Sequence, residues 1–173
     1  AEAGAFFVML ADSRRHRIAG EGHGADYDAR LEAFVVATVD ASLFAQNLCV
    51  AFESMGYGIC YIGGLRNQLD AVDALLELPH GIYPLFGLCV GVPAEEPSQR
   101  PRLASEAVWM KDRYADDAQV RADLEAYDAR YEAYLEERGA SVQGWSAIVA
   151  RSHAQPKRAY LAEYYRRKGV RFD

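Results

Sequence analysis

Short unbroken apolar runs alternate along this chain with longer stretches in which apolar residues recur every three or four positions. Residues 5–11 (AFFVMLA) form the first run, bounded by Gly4 and Asp12, and predict a buried strand. Residues 12–28 are basic, then rich in glycine and aspartate, and read as a loop or a frayed crossover. From 31 to 55 neither proline nor glycine interrupts the chain. Phe34, Val35, Leu43, Phe44, Leu48, Phe52 and Met55 recur there at spacings of three, four or their sums. That pattern predicts a long helix with few charges, buried on most of its circumference in the core or in a subunit interface. Gly56 ends it. Residues 59–62 (ICYI) predict a short central strand closed by Gly63-Gly64. Asn67 is placed to cap a helix over 68–77, which Pro79 stops, and 83–92 (YPLFGLCVGV) reads as a second buried strand. This order predicts a two- or three-layer α/β core and leaves parallel and mixed strand pairing both open.

The remainder reads as helix. Residues 93–101 (PAEEPSQRP) form a turn-rich linker, and 119–138 a helix closed by Gly139. Tyr127, Tyr131, Tyr134 and Leu135 share helical spacing in it, a stripe that suits packing better than a site. A helix over 145–151 follows, and Pro156 opens another over 157–168, ended by Gly169. This tail is too polar and regular for a core. It is expected to be an excursion that packs on something else, such as a partner subunit.

Composition narrows the classes. The chain has 173 residues, enough for one domain, and 51% of them are hydrophobic, enough for a core. Its net charge of -6 argues against nucleic acid as a partner, despite the clusters Arg14-Arg15-His16-Arg17 and Arg166-Arg167-Lys168. Cys49, Cys60 and Cys89 lie far apart in apolar runs without a CxxC pair. They read as buried reduced thiols of a cytoplasmic protein rather than zinc ligands or a disulfide framework. No unbroken run of eighteen apolar residues occurs, so no membrane span is expected. The chain opens without methionine and reaches a strand-like run almost at once; cleavage and truncation would both explain this.

The sequence contains no GxGxxG, Walker A, HExxH or GxSxG motif, and no pair among its four histidines has metal-like spacing. Two features remain. Gly63-Gly64 after a strand lets backbone N–H groups approach a flat or charged ligand, although a plain tight turn has the same signature. Arg100 and Arg102 flank Pro101, and guanidinium groups pair bidentately with phosphate; solvated loop arginines are the other reading. A redox enzyme and a non-catalytic ligand-binding module both remain open on this evidence.

Residues 39–103 (VDASLFAQNLCVAFESMGYGICYIGGLRNQLDAVDALLELPHGIYPLFGLCVGVPAEEPSQRPRL) closely resemble the NfsA/Frp group of oxygen-insensitive nitroreductases and flavin reductases. The specific pieces are Tyr61-Ile62-Gly63-Gly64-Leu65-Arg66-Asn67, Pro84-Leu85-Phe86-Gly87-Leu88-Cys89-Val90-Gly91, and Arg100-Pro101-Arg102-Leu103. Beyond them the likeness extends to Tyr127-Asp128, Arg138-Gly139, Trp145 and the last helix.

The resemblance implies an FMN-containing, NAD(P)H-oxidising homodimer of α/β (α+β) class. Its mixed sheet is wrapped by helices, with a C-terminal helical excursion reaching over the partner. Residues 1–103 would belong to the FMN-binding core and 104–173 to the excursion and arm. The helix over 31–55 would match the central dimer helix. Tyr61, Ile62, Gly63 and Gly64 would line the isoalloxazine, Arg102 would grip the FMN phosphate, and Arg100 would stand where the family usually has lysine. Arg138 would help hold the phosphate of NADPH, with NADH as the alternative donor, because the loop 140–144 lacks the further arginines of relatives. The reaction implied is ping-pong hydride transfer to nitroaromatics, quinones or flavins, with no catalytic side chain required. A flavin reductase supplying reduced flavin, and a non-catalytic flavin-binding relative, are the alternatives. The family's N-terminal elements, including its His-Arg-Ser-x-Arg phosphate-binding run, have no counterpart here, so a fragment is expected.

Overall fold

In the computed structural model, which describes residues 3–173, the strand that comes last in sequence occupies the middle of the sheet. β1 (Ala5–Asp12) and β2 (Gly58–Ile62) both pair antiparallel with β3 (Ile82–Gly91). The apolar runs located all three strands. They did not encode direction or order: β2, expected at the centre, lies at an edge of this sheet, and β1, expected to be buried, is exposed over its first half, because a short apolar run marks a strand without marking its neighbours. The β1–β3 register slips between Met9 and Leu10, where Met9 faces Phe86 and Leu10 faces Pro84. Pro84 has no N–H to give to the ladder, so the irregularity falls beside it.

The described residues divide into two compact units. One runs up to Glu95 and resumes at Arg158–Asp173; the other is Glu96–Lys157. In the first, α2 (Leu31–Ser54) packs on the sheet through small residues, with Ala37, Ala41, Ala45 and Cys49 buried. They meet Ala11, Tyr83 and Leu85 in one cluster and Met9, Leu88 and Val90 in a second. The expectation of burial around most of this helix is corrected. Val36, Val39, Leu43 and Val50 are about half exposed or more, Leu43 reaching 62%. At 100° per residue these four lie opposite the alanine face. By length and composition alone α2 could cross a membrane. The sequence reading missed this because it asked for an unbroken apolar run. The helix spends one face on its own sheet, as a core helix does.

Residues 14–22, read as loop, form α1 (Arg14–Gly22). None of its residues is buried, so it carries no apolar stripe by which to be recognised. Just before it, Ser13 is buried, its Oγ 3.1 Å from the Gly81 carbonyl and 3.0 Å from the Tyr83 hydroxyl. After β2, a 3₁₀ turn (Gly63–Asn67) leads to α3 (Leu69–Leu76). Asn67 does not cap α3; it closes the turn.

The C-terminal segment requires a second correction. α7 (Leu161–Arg167) starts later than expected, because Arg158 takes a positive φ of 56° that interrupts any helix there. The segment also belongs to the core. Tyr164, Tyr165 and Val170 are buried with Leu69 and Tyr83, and the Tyr165 hydroxyl donates to the Pro84 carbonyl at 3.0 Å. Lys168 is 8% exposed. Its Nζ donates to Asp73 Oδ1 at 2.8 Å, Oδ2 at 3.0 Å and the Leu78 carbonyl at 2.7 Å. Polar composition concealed this because a lysine and two tyrosines fill the positions that aliphatic residues usually fill.

The second unit holds α4 (Ser105–Val108), which the sequence did not signal, α5 (Asp117–Glu137) and α6 (Trp145–His153). Asp116 caps α5 by accepting the Gln119 N–H at 2.9 Å. Asp128 of α5 accepts the Ser146 N–H at 2.9 Å and so anchors the first turn of α6.

Candidate functional site

The end of β2 presents Tyr61, Ile62, Gly63 and Gly64. The Tyr61 hydroxyl receives a hydrogen bond from Cys49 Sγ at 3.0 Å and donates to Gln46 Oε1 at 3.1 Å, both on α2. Its ring stands edge-on to Phe86 at 5.6 Å between centroids. The Cys49 hydrogen bond, then burial, push the phenol up to about 12, so it stays protonated at neutral pH. A Cβ at Gly63 would come no closer than 3.4 Å to any protein atom, Arg66 Nη2, and at Gly64 no closer than 3.9 Å, Asn67 Nδ2. The backbone of this pair is therefore open to a ligand that needs close approach.

The turn is fixed from behind. Arg66 Nη1 donates to the Leu85 carbonyl at 2.6 Å, which commits that guanidinium to the scaffold. Arg158 Nε donates to Asn67 Oδ1 at 2.8 Å, and the Tyr160 hydroxyl donates to the Arg66 carbonyl. The sequence reading named neither Arg158 nor Tyr160. They sit about ninety positions from their partners, and no local spacing signals such a contact.

Arg100, Arg102 and Arg138 lie in the second unit. Arg100 Nη2 donates to the Tyr131 hydroxyl at 2.8 Å, with the guanidinium 4.9 Å from the centre of that ring. Arg138 Nη1 donates to the Tyr134 hydroxyl at 2.6 Å, its guanidinium 5.5 Å from the ring centre. The two tyrosine rings stack at 6.2 Å, so both arginines sit on one aromatic ladder of α5. The Tyr134 phenol is lowered, first by its Arg138 hydrogen bond, with a smaller contribution from the Arg100 charge. Arg102 Nη1 donates to the Arg100 carbonyl at 3.2 Å, and the Tyr127 hydroxyl donates to the Pro101 carbonyl at 3.1 Å. The tyrosine stripe thus packs, as expected, with Trp145 edge-on to Tyr127 at 5.6 Å. It also holds the 100–102 segment, a role the spacing did not reveal. Among the described residues, neither Arg100 nor Arg102 forms a salt bridge with a carboxylate.

Comparison with known proteins places these features in a family. Residues 2–92 match the nitroreductase family and residues 100–173 match the nitroreductase family, C-terminal domain. The chain belongs to the nitroreductase family. It is an oxidoreductase of FMN-dependent, NAD(P)H-oxidising kind, with that family's α/β fold of a small sheet among helices. The FMN reductase (NADPH) of Bacillus subtilis (strain 168) is 41% identical over 174 residues, covering 96% of this chain and 69% of the relative. The Cr(VI) reductase of Pseudomonas sp. (strain G-1) is 38% identical over 170 residues, covering 96% and 70%. The solved structure of the NfrA1 nitroreductase from B. subtilis superposes with a TM-score of 0.90 at 39% identity, covering 98% of this chain and 71% of that one. The chain therefore spans about seven tenths of the relatives it matches.

Proposed function

We propose that this nitroreductase-family chain binds FMN and NADPH and transfers hydride from the nucleotide to a nitroaromatic, quinone or flavin acceptor. The reading is carried by Arg100 and Arg102, which α5 holds in place while leaving their charge without a carboxylate. Such a donor set suits a phosphate group. The open backbone of Gly63 and Gly64, beside the aromatic Tyr61, suits a flat conjugated ring. These residues fit the cofactor that the family uses. FMN, when bound, supplies the hydride chemistry.

The chain supplies placement. Tyr61, Ile62, Gly63 and Gly64 line the ring, and the N–H groups of the glycine pair favour negative charge at its edge. Arg102 holds the FMN phosphate, and Arg100 adds positive charge. Arg138 contributes to the NADPH phosphate contact and prefers NADPH over NADH by its charge. No side chain of this segment is assigned as acid or base. A flavin reductase is the second reading of the acceptor, favoured by the similarity to a protein named FMN reductase (NADPH).

The chain acts as a homodimer through α2. Val36, Val39, Leu43 and Val50 follow one another at steps of three, four and seven along one stripe, the spacing by which helices pack on each other. A monomer would leave that stripe in water. The excursion of residues 104–157 is assigned to the same dimer contact, whereas Arg158–Asp173 packs into the first unit.

The purified full-length protein should carry a yellow chromophore whose visible band bleaches on anaerobic addition of NADPH. A colourless protein that does not take up FMN would sink the proposal. Arg102→Ala should weaken FMN binding by roughly tenfold to a hundredfold, the scale of one lost charge-assisted hydrogen bond. Fluorescence titration measures this, and unchanged affinity would refute the phosphate assignment.

A further inference from the structure

Cys60 and Cys89 face each other directly across the β2–β3 ladder. Directly opposed residues of an antiparallel pair put their side chains on the same face, with Cβ atoms roughly 4.5–5.5 Å apart. A disulfide requires Cα atoms within about 4.4–6.8 Å, which a directly opposed pair satisfies. Both thiols are free; Cys60 is exposed and Cys89 half-buried, whereas Cys49 is 1% exposed on the other face of the sheet, bonded to Tyr61. Phe6, the neighbour of Cys89 on its other side, lays its ring against Gly87.

We propose that Cys60 and Cys89 form a redox-sensitive dithiol that closes to a cross-strand disulfide when the protein meets an oxidised low-molecular-weight disulfide. The thiolate of Cys60, the more accessible, attacks one sulfur of the oxidant. The oxidant's S–S bond breaks and its first thiol leaves, giving a mixed disulfide on Cys60. The Cys89 thiolate then attacks the Cys60 sulfur and releases the second thiol. The two cysteines lose two electrons and two protons, and the oxidant gains them. The bridge ties β2 to β3 at the residue before Tyr61. Exposed disulfides of this kind are readily reduced, so the link reports the thiol–disulfide balance around the protein. The inference stands on the sheet register and does not depend on the FMN assignment.

The test incubates the intact protein with excess oxidised glutathione, denatures it in alkylating reagent, and reads the product by peptide mass spectrometry. The expected result is a fall from three free thiols to one, a mass loss of two hydrogens, and fragment ions joining Cys60 to Cys89, with Cys49 alkylated. The Cys89→Ser variant should stop at a glutathione adduct on Cys60. Three thiols remaining, a stable Cys60 adduct in the unmutated protein, or a bridge containing Cys49 would each overturn the proposal.

Discussion

Leu43→Glu is expected to turn the protein into a monomer and, since the family resemblance implies FMN at the dimer interface, to abolish its stable binding of FMN. Leu43 is the most exposed member of the α2 stripe formed with Val36, Val39 and Val50. In a twofold dimer each residue of a central helix enters the contact twice, so one substitution places two carboxylates in it. Nothing on the stripe offers them a positive partner. Leaving a buried charge uncompensated costs about 3–5 kcal/mol, so the dissociation constant should rise more than about a thousandfold. The side chain points away from the sheet, so the fold of the subunit should survive. Sedimentation velocity across a concentration series, with circular dichroism on the same samples, separates assembly from folding. A dimer that persists in the variant, or an unmutated protein that is monomeric at micromolar concentration, would remove α2 as the interface. Loss of the dimer without loss of FMN would show that the cofactor site is complete within one chain.

Lys168→Met should destabilise the first unit strongly. The ammonium is nearly excluded from water and donates to both oxygens of Asp73 and to the Leu78 carbonyl. Methionine keeps the length and apolar volume of the stem but donates nothing. Asp73 then keeps its charge without a cation beside it, and a backbone acceptor loses its donor. The Asp73 side chain is 24% exposed, so water recovers part of the loss. A cost of about 2–4 kcal/mol is expected, read as a lower urea midpoint with an unchanged slope. Adding Asp73→Leu should restore much of that stability, because an unpaired charge is worse than no charge. A Lys168→Met protein as stable as its parent would show that the pair contributes only geometry.

Much of the architecture was legible in the sequence for physical reasons. β1 and β3 are contiguous apolar runs, and α2 and α5 repeat at three and four, so their existence followed from periodicity alone. α1 was not legible, since it buries nothing and writes no period. The role of α7 was hidden because its core residues are tyrosines and a lysine whose value depends on partners far along the chain. At the candidate site, Gly63-Gly64 and the Arg-Pro-Arg segment were visible as local chemistry. Their roles toward FMN came from resemblance. The supports around them were not visible. Cys49 and Gln46 hold Tyr61 from α2, and Arg158 and Tyr160 hold the 3₁₀ turn, through contacts that only the folded chain creates.

The first unit is interrupted in sequence, and this constrains how the protein is made. Its three described strands are all present once β3 has left the ribosome, but Tyr164, Tyr165 and Val170 of its core come only after a further stretch of about 70 residues. At ordinary translation speeds that is a wait of roughly 4–14 s. Throughout it the nascent chain displays Tyr83, Leu85 and Leu69 without their cover. The emerging polypeptide is most vulnerable to aggregation and most in need of a chaperone in that interval, which ends when α7 and Val170 emerge to close the core.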